Sequence, residues 1–461
     1  MLLTGVTTTS AGQQLSDEEF SELLSLDIVD LTSLVISVAS KREERISEAP
    51  SVISVVTAEE IAAFGGKNLK DVLGRITSMQ GFRSHFFSHV TSVRGQNLKH
   101  SNNEILFLVN GRPFRTSWNG GTHYLLLMSF PLDMVKSLEV IRGPGSVLYG
   151  SSAFSGVINI ITKTSEDVAG PQLSSSYGSF NTRSIAAAAG AQTSAVNSVV
   201  AAKASRSDGW TFDAVDERAV DDSVDMAEAN TGAVAVVNSG GFMVTTVYTE
   251  SPELLPETIA TWDAQLFYQR SNFYGALPYF HSDIKNLISR VPEEGNVFVF
   301  SNKGEARFKG VELEARYNAN RHLTLLGSAT YQQSDDNSDV DDVSFSSNVM
   351  LKFGRSYSTD QGHTYSIFNS YFGDPAEISQ HNPDVATVNP EAEAYHLMTL
   401  NVGLDIDHLL RRASGPQMRL ELYIDNALDE DILYPEFNQK NINSIPVHSG
   451  RAYYATFNVA F

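Results

Sequence analysis

The feature that most constrains this chain is a strict alternation of apolar and polar residues from about residue 171 onward. In 418–424 apolar residues occupy the even positions and Arg419 and Glu421 lie between them, and in 311–317 Glu312 opposes an apolar face. A period of two is typical of β-strands, and amphipathic runs of ~9–12 residues are typical of membrane-barrel strands. No run approaches the ~18 consecutive apolar residues of a membrane-spanning helix. The pattern favours a transmembrane β-barrel over a soluble β-sandwich, whose core face is seldom opposed by so many charges.

The same pattern predicts about fourteen strands in this region. They start near residues 172, 182, 195, 228, 241, 258, 272, 308, 322, 346, 364, 395, 418 and 450. Short connections such as 239–240 alternate with long polar ones such as 373–394 and 429–449. Outer-membrane barrels show this alternation, with short periplasmic turns and long outward loops. We therefore expect an antiparallel transmembrane β-barrel over 171–461.

Residues 45–165 have a different character and predict a compact α+β domain. Short apolar runs predict strands at 52–56, 104–109, 137–141 and 156–162. A first helix is expected after Thr57, its N-cap, with Glu60 closing a capping box, and a second over 68–76. Ahead of this domain, another capping box opens a predicted short helix in 15–34.

Composition excludes several classes of function. The 461 residues carry a formal net charge of −21, so the chain lacks the basic surface of a general nucleic-acid binder. With no cysteine, it has no disulfide, cysteine nucleophile or cysteine metal site. Phosphate-binding loops, HExxH zinc motifs and nucleophile elbows are absent from the sequence, which therefore indicates neither an enzyme nor a cofactor.

Several segments resemble, in order and spacing, the plug domain of TonB-dependent outer-membrane receptors. They are 35–42 (VISVASKR), 49–61 (APSVISVVTAEEI), 93–95 (VRG), 108–113 (LVNGRP), 135–150 (VKSLEVIRGPGSVLYG) and 153–162 (AFSGVINIIT). The C-terminal part resembles the barrel of that family through 280–288 (FHSDIKNLI), 309–314 (KGVELE), 425–429 (DNALD) and the terminal Phe461. The resemblance covers most of the chain from about residue 34. It implies that 45–165 is a plug seated inside a barrel.

The resemblance also implies ion pairs between the plug and the barrel. Arg94 and Arg142 each precede a glycine on a plug turn. They are expected to pair with lumen-facing carboxylates, for which Glu312 and Glu314 are the candidates. Solvated surface arginines are the alternative. Large barrels enclose an aqueous lumen, which has to be plugged if the membrane is not to leak.

The barrel region is too short for the 22 strands of the family. A barrel of ~14 strands has a radius of ~14 Å and one of ~22 strands a radius of ~22 Å. A plug of ~120 residues has a radius of about 17–18 Å, which fits only the larger barrel. We predict an incomplete barrel with an apparent deletion of about eight strands near 249–252. A second chain that supplies the missing wall is an alternative, because exposed strand edges are very costly in lipid.

By resemblance, a segment before the plug contacts the inner-membrane protein TonB by adding a strand to it. The matching residues are Val35, Ile36, Ser37, Val38, Ala39 and Ser40. β-Branched residues at alternate positions suit strand addition. The alternative is that this stretch is simply the first strand of the plug.

By resemblance, two outward plug loops, 83–90 and 114–124, contact the ligand. Their aromatic and cationic side chains suit an anionic or aromatic chelate such as a ferric siderophore. The candidate ligand-binding residues are His85, Phe86, Phe87, His89, Arg115, Trp118, Asn119, His123 and Tyr124. Two alternatives stay open: the aromatics pack against the barrel, or the histidines ligate haem iron or a metal.

Clustered carboxylates in one predicted outward loop raise the alternative of a calcium site. They are Asp213, Asp216, Asp221, Asp222 and Asp225. Calcium prefers carboxylate oxygens, but the spacing matches no EF-hand. A solvated charged loop is therefore the favoured interpretation.

The sequence thus divides into an N-terminal segment (1–44), the plug (45–165) and a partial barrel (171–461). The expected function is energy-coupled uptake of a ferric siderophore or similar chelate across the outer membrane of a Gram-negative bacterium. A TonB-like periplasmic protein and outer-membrane lipid are the expected partners. The alternatives are a cobalamin or haem receptor, a non-transporting remnant and a passive pore. Residues 1–14 lack the basic start of a secretory signal, although they could be the end of one that begins upstream.

Overall fold

A computed structural model describes most of the chain. The described residues are 35–36, 38, 44–45, 51–83, 89–96, 104–115, 124–150, 152–168, 170–192, 197–215, 223–227, 247–248, 254–292, 297–336, 343–376, 387–412, 414–435 and 443–461. The short helix expected in 15–34 and the predicted strands near 228 and 241 lie outside them.

The plug is a mixed sheet covered by short helices, as its sequence predicts. Its strands are β1 (Val35–Ile36), β2 (Glu44–Arg45), β3 (Ile53–Thr57), β4 (Met79–Arg83), β5 (His89–Val93), β6 (Ile105–Val109), β7 (Arg112–Pro113), β8 (Val135–Arg142) and β9 (Gly156–Thr162). Its helices are α1 (Ala58–Phe64), α2 (Leu69–Leu73), α3 (Tyr124–Ser129) and α4 (Ser146–Tyr149), with a 3₁₀ turn at Leu132–Met134. The main sheet has the order β3-β8-β9-β6-β7, and β4 and β5 form a separate hairpin. Apolar side chains of this sheet and of α1, α2 and α3 form the main core.

Helix α1 begins at the predicted cap but does not close the predicted box. The Thr57 hydroxyl accepts a hydrogen bond from the Glu60 backbone N–H at 3.3 Å. The Glu60 carboxylate instead contacts the Arg316 guanidinium at 3.2 Å. The expectation that Glu60 closes the capping box is therefore wrong, because a charged partner from the surrounding strands competes for its carboxylate.

Replacing Thr57 by Ala is expected to lower the free energy of unfolding by about 1 kcal/mol, since the first turn of α1 loses its acceptor. Urea unfolding in detergent micelles measures the loss. Thr57→Ser retains the hydroxyl and is the matched control. Equal losses in both variants would show that the hydroxyl does not cap the helix.

Twelve described strands form one antiparallel sheet, which we call the wall. They are β10 (Gln172–Gly178), β11 (Thr182–Gln192), β12 (Asn197–Arg206), β16 (Thr258–Arg270), β17 (Phe273–Pro292), β18 (Val297–Asn320), β19 (Leu323–Asp336), β20 (Val349–Ser358), β21 (Thr364–Phe372), β22 (Tyr395–Asp405), β23 (Gln417–Asp425) and β26 (Ala452–Ala460). Short strands outside this path are β13 (Thr211–Val215), β14 (Ser223–Ala227), β15 (Val247–Tyr248), β24 (Leu433–Pro435) and β25 (Ser444–Pro446). One further helix, α5 (Ile406–Leu409), connects β22 to β23.

The wall continues without a break where the first and last strands of the barrel sequence meet. Its order is β12-β11-β10-β26-β23-β22-β21-β20-β19-β18-β17-β16, so the last strand, β26, pairs with the first, β10. In this path, drawn from the described residues, β12 and β16 are the end strands and do not pair with each other. Among the described strands the barrel is therefore incomplete, as the fit of plug to barrel predicts. The interruption lies between 206 and 258, a stretch that includes the predicted deletion near 249–252.

Two wall strands are much longer than the ~9–12 residues expected of a membrane strand. β17 has 20 residues and β18 has 24. At ~3.3 Å per residue, strands of this length extend well beyond the ~30 Å hydrocarbon layer. Apolar residues on the outer face of β18 are exposed, and the inward Glu312 of the same strand is buried. Side-chain alternation thus correctly predicts which face of the strand is inward.

In the part of the chain that the structure describes, the helices are too short or too polar to cross a membrane.

Candidate functional site

The plug presents two buried arginines to the wall from adjacent turns. Arg142 is the last residue of β8, and Arg94 follows β5 with a positive φ of 54°. The Arg94 backbone N–H donates to the Ser78 carbonyl at 2.9 Å, which joins its turn to the turn before β4. Ser78 also has a positive φ of 55°. Left-handed backbone is unfavourable for residues with a side chain, so surrounding contacts must hold both turns in place.

These arginines form ion pairs with three carboxylates of the wall. Arg94 Nε lies 3.0 Å from Glu312 Oε1, and Arg94 Nη1 lies 2.7 Å from Asp263 Oδ1. Arg142 Nη1 lies 2.9 Å from Glu312 Oε2, and Arg142 Nη2 lies 2.7 Å from Glu314 Oε2. Glu312 thus bridges both guanidinium groups. We call these five residues the plug–wall cluster. The structure brings together all four residues that the sequence proposed for this contact.

Because the plug–wall cluster is buried, it favours one docked position of the plug on the wall. The side chains of Arg94 and Glu312 have no exposed surface, and that of Arg142 is 1% exposed. Burial alone would lower the pKa of the Arg142 guanidinium, but the carboxylates of Glu312 and Glu314 raise it above its ordinary value. Buried ion pairs add little net stability but are costly to break, so they favour one docked position over others.

Hydroxyl groups of the plug also donate hydrogen bonds to the two glutamates. Ser78 Oγ donates to Glu312 Oε1 at 2.6 Å. Ser54 Oγ and Thr77 Oγ1 donate to Glu314 Oε2 at 3.2 and 3.1 Å. Sequence reasoning missed these hydroxyls. They carry no motif, and their role depends on the turn that places them.

Sequence reasoning also missed Asp263. It lies in β16, in a strand that the alternation predicts. That alternation could have suggested an inward carboxylate there. Nothing in the sequence indicates that it pairs with Arg94.

The wall also holds the plug by its backbone. Lys352 Nζ of β20 donates to the carbonyls of Ile76 and Met79 at 2.6 and 2.7 Å. Asn401 Nδ2 of β22 donates to the carbonyls of Ala62 and Ala63 at 2.9 and 3.0 Å. Lys352 thus fixes the turn that carries Thr77 and Ser78. Backbone carbonyls carry no sequence signal, so these contacts could not be predicted.

The chain thus has a mixed α/β plug docked on a large antiparallel wall by buried ion pairs. Two family models match its sequence. The TonB-dependent receptor plug domain matches residues 45–157. The TonB-dependent receptor-like β-barrel matches residues 166–427, more than half of the chain. The chain belongs to the TonB-dependent receptor family. Members of this family are receptors and transporters rather than enzymes, and the family and fold indicate the Gram-negative outer membrane.

Curated relatives match over a limited length. The vitamin B12 transporter BtuB of Vibrio vulnificus is 34% identical over 153 residues, which are 33% of this chain and 24% of the relative. BtuB of Vibrio cholerae is 30% identical over 158 residues, 34% of this chain and 25% of the relative. The match thus spans about a quarter of these relatives.

Solved structures of the family share the fold. The pyoverdine outer-membrane receptor FpvA of Pseudomonas aeruginosa has a TM-score of 0.67 at 10% identity, covering 95% of this chain and 98% of that chain. The ferric yersiniabactin uptake receptor FyuA of Yersinia pestis has a TM-score of 0.64 at 12% identity, covering 89% of this chain and 98% of that chain. At these identities the likeness establishes the fold alone.

The candidate TonB-coupling stretch of this receptor lies against the plug where it is described. Val35 and Ile36 form β1, which pairs with β2, and Val38 is fully buried in a second plug core. The Tyr149 hydroxyl donates to the Val38 carbonyl at 2.9 Å. Ser37, Ala39 and Ser40 lie outside the described residues. Strand addition to a partner would require Val38 to leave this position.

Most of the candidate ligand-binding residues lie outside the described part of the receptor. These are His85, Phe86, Phe87, Trp118, Asn119 and His123. His89 begins β5 and Tyr124 begins α3, without a described side-chain position. Arg115 is exposed at the start of its loop. Their shared role in ligand binding stays a prediction.

An aromatic cluster near the end of β4 was not predicted. The Arg83 guanidinium lies 5.2 Å from the Trp210 ring centroid and 4.9 Å from that of Phe212. Phe82 packs edge-on against Tyr434 at 4.8 Å between centroids. Trp210 lies between β12 and β13, Phe212 lies in β13 and Tyr434 in β24, and the paths of these connections cannot be inferred from residue type.

The five aspartates of the alternative calcium site are only partly described. Asp213 and Asp225 pair in register in the β13–β14 hairpin, while Asp216, Asp221 and Asp222 lie outside the described residues. Among the described residues, no group of three His, Asp or Glu side chains could hold a metal ion.

Proposed function

We propose that this protein is an energy-coupled receptor for uptake of a ferric siderophore or a similar chelate. The observation that carries the proposal is the plug seated on its wall by a buried ion cluster. A plug held in place by specific contacts blocks the lumen at rest. These contacts have to be broken before a ligand can pass. The proposed partner is a TonB-like periplasmic protein that binds Val35–Ser40 and pulls on the plug.

The two lines of similarity differ in the class of ligand. The solved structures include pyoverdine, yersiniabactin and enterobactin receptors, whereas the curated relatives transport vitamin B12. The aromatic and cationic plug loops suit an anionic chelate. Cobalamin and haem remain alternatives within the same mechanism.

A second candidate function is a non-transporting remnant that binds ligand without moving it. The observation in its favour is the wall, whose described path ends at β12 and β16. Unpaired backbone groups at such edges are costly in lipid, so an incomplete barrel would not hold a stable pore by itself.

Replacing Ile36 by Pro is expected to reduce uptake of radiolabelled ferric siderophore to the level of a host without TonB. Proline removes the backbone N–H that strand addition requires. Uptake is measured in cells that express the receptor, with Ile36→Ala as the control that keeps the N–H. The control is expected to retain most of the uptake.

Other outcomes separate the alternatives. Uptake that persists without TonB would favour a passive pore. A folded receptor that binds the siderophore but takes up none in either host would favour the remnant. Uptake that depends on TonB and is unaffected by Ile36→Pro would show that the coupling segment lies elsewhere.

A further inference from the structure

A cavity lies between the plug and the wall. It adjoins the plug–wall cluster, because Glu314 of that cluster is part of its lining. Its volume is about 110 Å³. The plug side is formed by β3, α1 and the segment after α2, and the wall side by β17 to β21. A cavity needs roughly 10–15 Å³ on this measure to hold one water, so this one holds several waters or one small solute. Ligand pockets are usually about 300–1,000 Å³, so the cavity is too small for a ferric chelate.

The charged side chains that line this cavity are mainly cationic. They are Arg75, Arg316, Lys352, Glu60 and Glu314. Glu314 forms an ion pair at 2.7 Å with Arg142, which is not part of the lining. Glu60 forms an ion pair at 3.2 Å with Arg316, which is part of it. Neither Arg75 nor Lys352 has a carboxylate within ion-pair distance among the described residues. The lining therefore carries an excess of positive charge.

Burial acts on the charges of both signs in this lining. It raises the pKa of the Glu60 carboxyl, although Arg316 and Arg75 oppose the shift. Lys352 is 4% exposed. A buried ammonium without a counter-ion is unfavourable, because the interior solvates charge poorly.

Hydrogen-bond donors in the lining also lack acceptors. The Arg316 Nε is buried and has no hydrogen-bond partner in the described structure. Lys352 uses two of the three donors of its ammonium group on the carbonyls of Ile76 and Met79. Water could accept from these groups, but water does not offset the surplus charge. An anion does both.

We propose that this cavity binds one small oxyanion of the size of phosphate or acetate, held by Lys352, Arg75 and Arg316. The anion links the wall to the turn after α2, and it therefore stabilises the seated plug. This proposal concerns a site separate from the outward ligand loops, and its test requires no transport.

The test is calorimetric titration of the purified folded receptor in detergent micelles with inorganic phosphate and, separately, with sodium acetate. Chloride keeps the ionic strength constant. We expect saturable binding of one anion per chain, accompanied by a rise in the thermal unfolding temperature. Phosphate binding stronger than acetate binding would identify a site for divalent oxyanions, and the reverse a site for carboxylates.

Lys352→Gln is expected to weaken binding of the preferred anion at least tenfold. Lys136→Gln is the matched control, because Lys136 is a half-exposed plug lysine paired with Asp167 away from the cavity. It is expected to leave the affinity unchanged. If Lys352→Gln does not fold, Arg75→Gln provides the same test. Absence of saturable binding to the folded wild type, or binding that is unaffected by both cavity variants, would overturn the proposal.

Discussion

Replacing Glu312 by Gln is expected to destabilise the seated plug by about 3–5 kcal/mol. Glu312 has no exposed side-chain surface and lies 3.0 Å from Arg94 and 2.9 Å from Arg142. Gln has nearly the same shape but no charge, so two buried guanidinium groups would lose the carboxylate that they share. Urea titration in detergent micelles, with limited proteolysis to detect the released plug, measures the loss.

Glu305→Gln is the matched control for this change. Glu305 lies on the same strand, β18, with an exposed side chain. Its replacement is expected to change the free energy of unfolding by less than about 0.5 kcal/mol. Wild-type protease resistance in Glu312→Gln would mean that the plug–wall cluster does not hold the plug.

Replacing Phe280 by Ala is expected to cost about 3–5 kcal/mol, through a cavity directly beneath Arg94. Phe280 is fully buried and packs with Ile284 and Phe308, and the Arg94 guanidinium lies 4.5 Å from its ring centroid. A Cβ atom at Gly310 would lie 2.7 Å from the Phe280 ring, so this glycine makes the room that the ring occupies. The change in urea unfolding measures the cost.

Phe280→Leu separates the two contributions of the ring. Leucine retains much of the apolar volume but removes the aromatic face under Arg94, so a smaller loss is expected. A double-mutant cycle with Arg94→Met is expected to give a coupling energy of about 0.5–2 kcal/mol. A coupling energy near zero would show that Phe280 acts by packing alone.

Local patterns in the sequence predicted the parts of the structure that depend on local physics. The alternation along 311–317 placed Glu312 and Glu314 on the inward face, because successive side chains of a strand point to opposite sides. The Thr57 cap and the plug strands follow from the same short-range rules. The arginines were proposed as partners of these glutamates only through the resemblance to a family.

Contacts between distant segments were not predictable in this way. Lys352 holds the carbonyls of Ile76 and Met79, more than 270 residues earlier in the chain. Glu60 was assigned to its own helix by a sound local rule, but Arg316 of the wall contacts it instead. In both cases a tertiary partner offers a charge-assisted hydrogen bond that the local alternative lacks.

The sequence by itself determined that a compact α+β domain is followed by amphipathic strands, and the resemblance to a family implied that this domain is a plug in an incomplete barrel. The first conclusion rests on side-chain period and turn residues, which act within a few residues. Only the tertiary structure decided that Asp263 joins the cluster, that Val38 is buried in the plug and that Arg75, Arg316 and Lys352 line one plug–wall cavity. Each of these depends on how segments hundreds of residues apart meet, and residue type alone does not determine such geometry.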